Sequence, residues 1–305
     1  MNGHVHEHQG EASISERKLT FAIFFNLLIT AMEIIGGLLS GSLALLSDAL
    51  HNFTDSTSLW LSLLAQRISR RDATGGMTFG YRRARIMAAF INSSILVAVT
   101  LFLFKEAFTR FFNPTHINGP LMIIIASIGL IANLFSVLLL KRDSKYDLNI
   151  RSSYLHLVAD TLSSIVVVVG GLIMYFFEIY WLDPLLSVLI GLYLLKETWG
   201  ILSESIHILM QGAPKDISIG ELRDIVEGIP GVECLHHVHI WQMDDRNVNF
   251  EGHVQLGEDI NLKEADAIRM KINEHLREMG ITHTVIQMEF DPCPDMSLVK
   301  KGSCM

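Results

Sequence analysis

Two histidine–aspartate pairs with one spacing stand inside long apolar stretches: His51 with Asp55, and His156 with Asp160. Four residues is about one helical turn, so each pair sits on a single helix face. Ionisable groups in a membrane-crossing helix are costly, and by default they mark a pathway with a partner. Facing each other, the pairs offer two imidazole nitrogens and two carboxylates, a tetrahedral set suited to Zn²⁺. A lone polar residue there is more simply read as glue between helices, as for Asn26, Asn92 and Asn133. Recurrence of one metal-competent spacing argues against that reading for the pairs. Asp48 shares a face with His51 and Asn52. It is a supporting contact, a helix-entry residue or a fifth ligand.

The donor set also suggests what drives movement. Imidazole must be neutral and carboxylate ionised to bind metal, so metal and protons compete for the same atoms. Histidine titrates near neutral pH. Alternating access to such a site would exchange Zn²⁺ moving one way for H⁺ moving the other.

These residues need elements to carry them. The chain has 305 residues, is 50% hydrophobic and 18% charged, and has a mean hydropathy of +0.36. That is too apolar for an ordinary soluble domain and points to several membrane spans. Six segments have the length: about 19–39, 43–66, 84–112, 118–140, 151–178 and 184–209. Glu33, Lys105, Glu106, Lys196 and Glu197 fall within them, as internal pairs or at the interface. Lys and Arg collect before the first segment (Arg17, Lys18), around the second joint (Arg67, Arg70, Arg71, Arg82, Arg83, Arg85) and around the fourth (Lys141, Arg142, Lys145, Arg151). By the positive-inside rule both termini are expected in the cytosol. The first eighteen residues are polar, so no cleavable signal peptide is expected.

From residue 211 onward there are 9 Lys+Arg against 17 Asp+Glu, whereas the first 210 residues hold 15 of each. The break predicts a membrane part followed by an acidic soluble part. The expected divisions are a His-containing cytosolic tail (1–18), a six-helix membrane domain (19–210), a cytosolic domain (211–292) and a C-terminal tail (293–305). Cys234, Cys293 and Cys304 all fall in the soluble part, and an odd count suggests reduced thiols rather than a disulfide framework. Periodicity there reads helix (217–229), strand (232–241), strand (248–256), helix (262–279) and strand (283–290). The order αββαβ fits helices on an antiparallel sheet of the ferredoxin-like kind. So small a core would gain from dimerisation.

His236, His253, His283 and Glu289 lie on or beside these strands, with Cys293 close behind. Adjacent strands can bring such side chains together as a cytosolic metal site. The plainer reading of His236 and His239 is as core or edge residues beside Trp241. His4, His6 and His8 are either a loose metal-gathering tract or a tail that happens to contain histidines.

Several stretches together resemble the cation diffusion facilitator family, in its zinc-exporting CzcD/ZitB-like branch. Ser42 to Asp55 is similar to the family's second span, Phe79-Gly-Tyr-Arg-Arg83 to its entry into the third, and His156 with Asp160 to the fifth. Leu209 to Pro214 resembles its linker, and Leu235 to Trp241 its soluble-domain signature. The resemblance implies a six-span homodimer with paired cytosolic domains and metal/proton antiport. It implies that His51, Asp55, His156 and Asp160 form the transport site, and that histidine in both pairs favours Zn²⁺, with Cd²⁺ or Co²⁺ as secondary cargo. Two positions depart from the family pattern: Gln211, where relatives often carry an acidic residue, and Asp266, where some carry a metal-binding histidine.

The expected protein is therefore a Zn²⁺/H⁺ antiporter in a bacterial inner membrane, and not an enzyme. Its partners are a second copy of itself, the bilayer and the transported Zn²⁺ and H⁺, with Zn²⁺ also a regulatory ligand and no nucleic acid. The alternative is a membrane-anchored metal sensor whose tail reports to a partner. An intramembrane metallo-hydrolase is disfavoured because the chain has no H-E-x-x-H motif.

Overall fold

The computed structural model describes residues 27–141, 148–244, 246–290 and 297–299, without the side chains of 55, 56, 59, 62, 140, 148–153 and 156. The chain divides into two compact units, one of residues 1–63 with 91–202 and the other of 64–90 with 203–305.

The first unit is helical. Its elements are α1 (Leu27–Ser40), most of α2 (Leu43–Ser69), most of α3 (Ala84–Phe112), α4 (Gly119–Leu140), α5 (Leu148–Phe177) and most of α6 (Leu182–Leu209). Among the described residues four helices are long and apolar enough to cross a membrane: α3, α4, the 157–177 part of α5, and α6. The described part of α1 is shorter. The 27-residue α2 has the length, but Asp48, His51, Asn52 and Asp55 interrupt its apolar character. Ala44, Leu45, Met122, Val167, Met174 and Leu186 form a buried cluster that packs α2, α4, α5 and α6 together.

The start of α2 is fixed from far away in sequence. A helix leaves its first backbone N–H groups without internal partners. Here the buried Asp183, at the start of α6, supplies them: its Oδ2 accepts from Leu43 N at 2.8 Å, and its Oδ1 from Ala44 N at 3.2 Å and Ser42 Oγ at 2.6 Å. The negative charge also complements the positive end of the helix dipole. Gly41, with φ +74°, makes the turn from α1 that brings α2 to this carboxylate.

The second unit contains α7 (Ile219–Glu227), β1 (Val232–Gln242), β2 (Val248–Leu256), α8 (Leu262–Glu278) and β3 (His283–Glu289). Ser218 caps α7, and Asn261 with Glu264 forms a reciprocal capping box on α8. Leu222, Val226, Leu235, Phe250, Val254, Ile272 and Leu276 form the core. The element order matches the sequence reading, but the sheet does not. In the order β1-β2-β3, β1 and β2 are antiparallel while β2 and β3 are parallel. The physical reason is that α8 links β2 to β3 as a crossover, which returns the chain in the same direction. The predicted antiparallel sheet is thus corrected to a mixed one.

A bulge interrupts β1 between His236 and His239. His237 adopts φ +53° there. The freed N–H groups of His237 and Val238 donate to the carbonyls of Ser297 and Leu298 at 3.2 and 2.8 Å. A segment near the C-terminus therefore runs along the outer edge of β1.

Candidate metal sites

Helical spacing places His51 and Asn52 on α2 and Asp160 on α5 in the interior of the first unit, where all three are buried. His51 Nε2 lies 3.1 Å from Asp160 Oδ1. One donor of each predicted pair is thus brought to its counterpart on the opposing helix. The side chains of Asp55 and His156, the other two predicted ligands, lie outside the described residues. Both stand four positions from their partners in continuous helix. The Tyr193 ring on α6 meets the His51 ring edge-on, with centroids 6.1 Å apart.

Around this contact is a hydrogen-bonded shell, only part of which the sequence suggested. Asp48 Oδ1 accepts from Ser163 Oγ, and its Oδ2 from Ser164 Oγ at 3.3 Å. Ser164 Oγ in turn accepts from Asn133 Nδ2 at 3.2 Å. The chain Asn133–Ser164–Asp48 links α4, α5 and α2, so of the three roles open to Asp48 this geometry fits the supporting contact. Asn133 bridges helices as expected, and Asn92 does so through Ser58 Oγ at 2.6 Å. Asn26 lies outside the described residues.

Glu33 on α1 is the residue that spacing could not place. It is buried, and its Oε2 accepts from Asn52 Nδ2 at 2.9 Å. The space for it exists because α4 carries Gly129 at that level; a Cβ there would collide with Glu33 Oε1. The signal available in the sequence is the pair itself, an acid in α1 and an amide beside the predicted ligand His51 in α2. Among the other charged residues, Glu106 accepts from Arg110 Nε at 2.9 Å, one turn away at the end of α3. Glu197 accepts from Tyr193 at 2.6 Å.

The sheet assembles a second cluster. Register sets His236 opposite His253 and His253 opposite Gln287, with Glu289 two residues further along β3 on the same face. His236 Nε2 lies 3.2 Å from Glu289 Oε2, and His253 Nδ1 lies 2.8 Å from Glu289 Oε1. One donor atom from each of the three lies within 4.8 Å of the others. Tetrahedral zinc with bonds of about 2.0–2.1 Å places its ligands roughly 3.4 Å apart, so the trio fits with small adjustments. His236 is fully buried, and the His237 ring stacks on His253 with centroids 4.7 Å apart.

His283 does not join this trio. It opens β3 opposite Asn249, at the far end of the strand from Glu289. His239 is paired with Glu251, beyond the bulge. Cys293, Cys304 and His4, His6 and His8 lie outside the described residues. Cys234, partly buried on β1, has its thiol pKa pushed above the ordinary range by burial and by the neighbouring Glu227 carboxylate.

A helical membrane domain with an interior histidine–carboxylate contact, joined to a small α+β domain with a second such cluster, is the architecture of a membrane protein that handles metal ions. Residues 19–210 match the cation efflux transmembrane domain and residues 214–291 the cytoplasmic domain of cation efflux proteins. The chain belongs to the cation efflux family, as its resemblance to the cation diffusion facilitators implied. It is 38% identical over 302 residues to the zinc transporter ZitB of Escherichia coli (strain K12), covering 97% of this chain and 95% of that one. It is 35% identical over 286 residues to a cadmium, cobalt and zinc/H(+)-K(+) antiporter of Bacillus subtilis (strain 168), covering 93% and 91%. A third relative is the metal cation efflux system protein CzcD of Cupriavidus metallidurans, 34% identical over 296 residues, covering 95% and 91%. The protein is an integral membrane cation efflux transporter with a small cytosolic domain built on a three-stranded sheet. Its family is one of transporters rather than enzymes.

Proposed function

We propose that the protein exports Zn²⁺ from the cytosol in exchange for H⁺, as a homodimer working by alternating access, with Cd²⁺ and Co²⁺ as secondary cargo. The observation that carries this reading is the 3.1 Å contact between His51 and Asp160, made between two helices in the interior of the membrane unit. His51, Asp55, His156 and Asp160 form the four-donor transport site. When the ion leaves, protons take its place on the imidazoles and carboxylates, and return movement of the protonated site completes the exchange. Asp48, held by Ser163 and Ser164, keeps α2 and α5 in the register that lets His51 meet Asp160.

The remaining features belong to the same proposal. Six helices span a bacterial inner membrane, with α1 and α2 completing the set, and both termini are cytosolic. Residues 211–292 form an αββαβ domain, built on the mixed three-stranded sheet, that dimerises. That domain holds a regulatory Zn²⁺ on His236, His253 and Glu289. Two relatives are named as antiporters or efflux proteins and one as a zinc transporter, which supports both cargo and direction.

Reconstitution into liposomes tests it. Zinc flux should follow an imposed pH gradient and vanish in Asp160→Ala, with the variant still folded and dimeric. Wild-type flux in Asp160→Ala would remove the site assignment. Zinc binding without flux in the wild type would instead favour the membrane-anchored sensor.

A further inference from the structure

The loop that leaves α2 is not a slack connector. Thr74 and Met77 exchange backbone hydrogen bonds at 3.1 and 3.0 Å, and Gly80 N donates to Met77 O at 2.8 Å in a turn where Gly80 takes φ +71°. This folded loop and the adjoining ends of β2 and β3, all parts of the second unit, enclose a cavity of about 630 Å³.

The chemistry of its lining is one-sided. Arg70, Arg71 and Arg82 border the cavity. Among the described residues none of these three guanidinium groups forms a salt bridge. Asp72 is the one acidic lining residue among those described. Asn249 is only 4% exposed, yet its Nδ2 has no hydrogen-bond partner, although its residue lines the same cavity. A buried donor without an acceptor is costly. Beside three unpaired guanidinium groups it describes a pocket short of acceptor oxygens.

We infer that this cavity binds a phosphate group, with Arg70, Arg71 and Arg82 neutralising it and Asn249 Nδ2 donating to one of its oxygens. Guanidinium groups suit this work because their forked donors match the geometry of phosphate oxygens. Two sources carry that chemistry, free inorganic phosphate and the headgroup of an anionic phospholipid. Position favours the headgroup as a source: Arg82 lies two residues before α3, a helix of membrane-crossing length, and the same loop exposes Met77 and Phe79. Basic residues next to the cytosolic end of a span are placed where anionic headgroups lie. The bound group would tie the loop that follows the His51-bearing helix to the sheet carrying His253 and Glu289. The inference does not depend on which metal is carried.

The test uses the full-length protein in a neutral detergent at low salt, titrated calorimetrically with inorganic phosphate, dioctanoyl-phosphatidylglycerol and, as the zwitterionic control, dioctanoyl-phosphatidylcholine. The expected result is one anion per protomer, with affinity reduced about tenfold or more in Arg71→Gln/Arg82→Gln, since two charge-assisted contacts are lost. Asn249→Asp, close in shape but carrying an acceptor where the donor was, should lose binding to a similar degree. Unchanged zinc stoichiometry in the variants shows that they remain folded. Binding of phosphatidylglycerol but not phosphate assigns the headgroup, and binding of phosphate alone assigns the free ion. Equal binding of phosphatidylcholine, no binding of either anion, or wild-type affinity in both variants would overturn the inference.

Discussion

The membrane unit and the cytosolic sheet use the same donors, imidazole against carboxylate, on scaffolds that differ in what can move. In the first, His51 comes from α2 and Asp160 from α5, two helices joined through side chains such as Asp48 with Ser163 and Ser164. In the second, His236, His253 and Glu289 come from three neighbouring strands whose backbones are hydrogen-bonded in register. Helices packed through side chains can shift by small translations and rotations. A sheet cannot change register without breaking its ladder and turning side chains to the other face. On the proposed reading, one donor set would release an ion or retain it according to whether its supports are separable.

Removal of ligands gives the sharpest separation. Asp160→Ala is expected to lower liposome zinc flux by more than the roughly 10–100-fold typical of losing a supporting contact, while leaving zinc on the cytosolic domain unchanged by equilibrium dialysis. The reverse is expected of His236→Ala combined with His253→Ala: one zinc fewer per protomer, and flux that persists. If the double variant abolished flux as completely as Asp160→Ala, the sheet cluster would be part of the conduction path and the contrast would fail.

Smaller changes probe the supports. Gly129→Ala places a methyl group against Glu33 Oε1, and overpacking of this kind costs about 1–3 kcal/mol. Thermal unfolding in detergent should register it, with a partial loss of flux as Glu33 is pushed from Asn52. Asp183→Ala removes the cap on α2 and should cost about 0.5–2 kcal/mol by the same measurement. The sheet offers the mildest test. The raised pKa of Cys234 leaves less thiolate at neutral pH than in an ordinary thiol. Its alkylation by iodoacetamide at pH 7.5 should therefore be slower than that of glutathione, catching up only as pH rises above the usual thiol range. Alkylation faster than glutathione's would show that β1 is more open than its pairing indicates.

The two regions were also unequally legible from sequence. A four-residue spacing is local, so the face shared by His51 and Asp55 follows from helix geometry alone. That α2 should meet α5 does not; only the recurrence of the pair points to it. In the sheet, ligand choice depends on register between distant strands. Four residues were expected to converge; β3 lies parallel to β2, which brings Glu289 to His253 and leaves His283 opposite Asn249. The sheet departs from the antiparallel expectation at the same point: periodicity marks α8 as a helix but does not show that it is a crossover between parallel strands. Glu33 was visible as a charged residue in a span, but its link to Asn52 depends on the small side of α4 at Gly129, which no periodicity in α1 could reveal.

The strip of chain at Ser297 and Leu298 has a bearing on solubility. An outermost strand with free amide and carbonyl groups is a template on which strands of other molecules can add, the first step towards fibrous aggregates. At the bulge of β1 that template is already taken by the protein's own backbone. Removing the last residues would uncover it, so a shortened chain is expected to self-associate at concentrations where the full one stays dispersed.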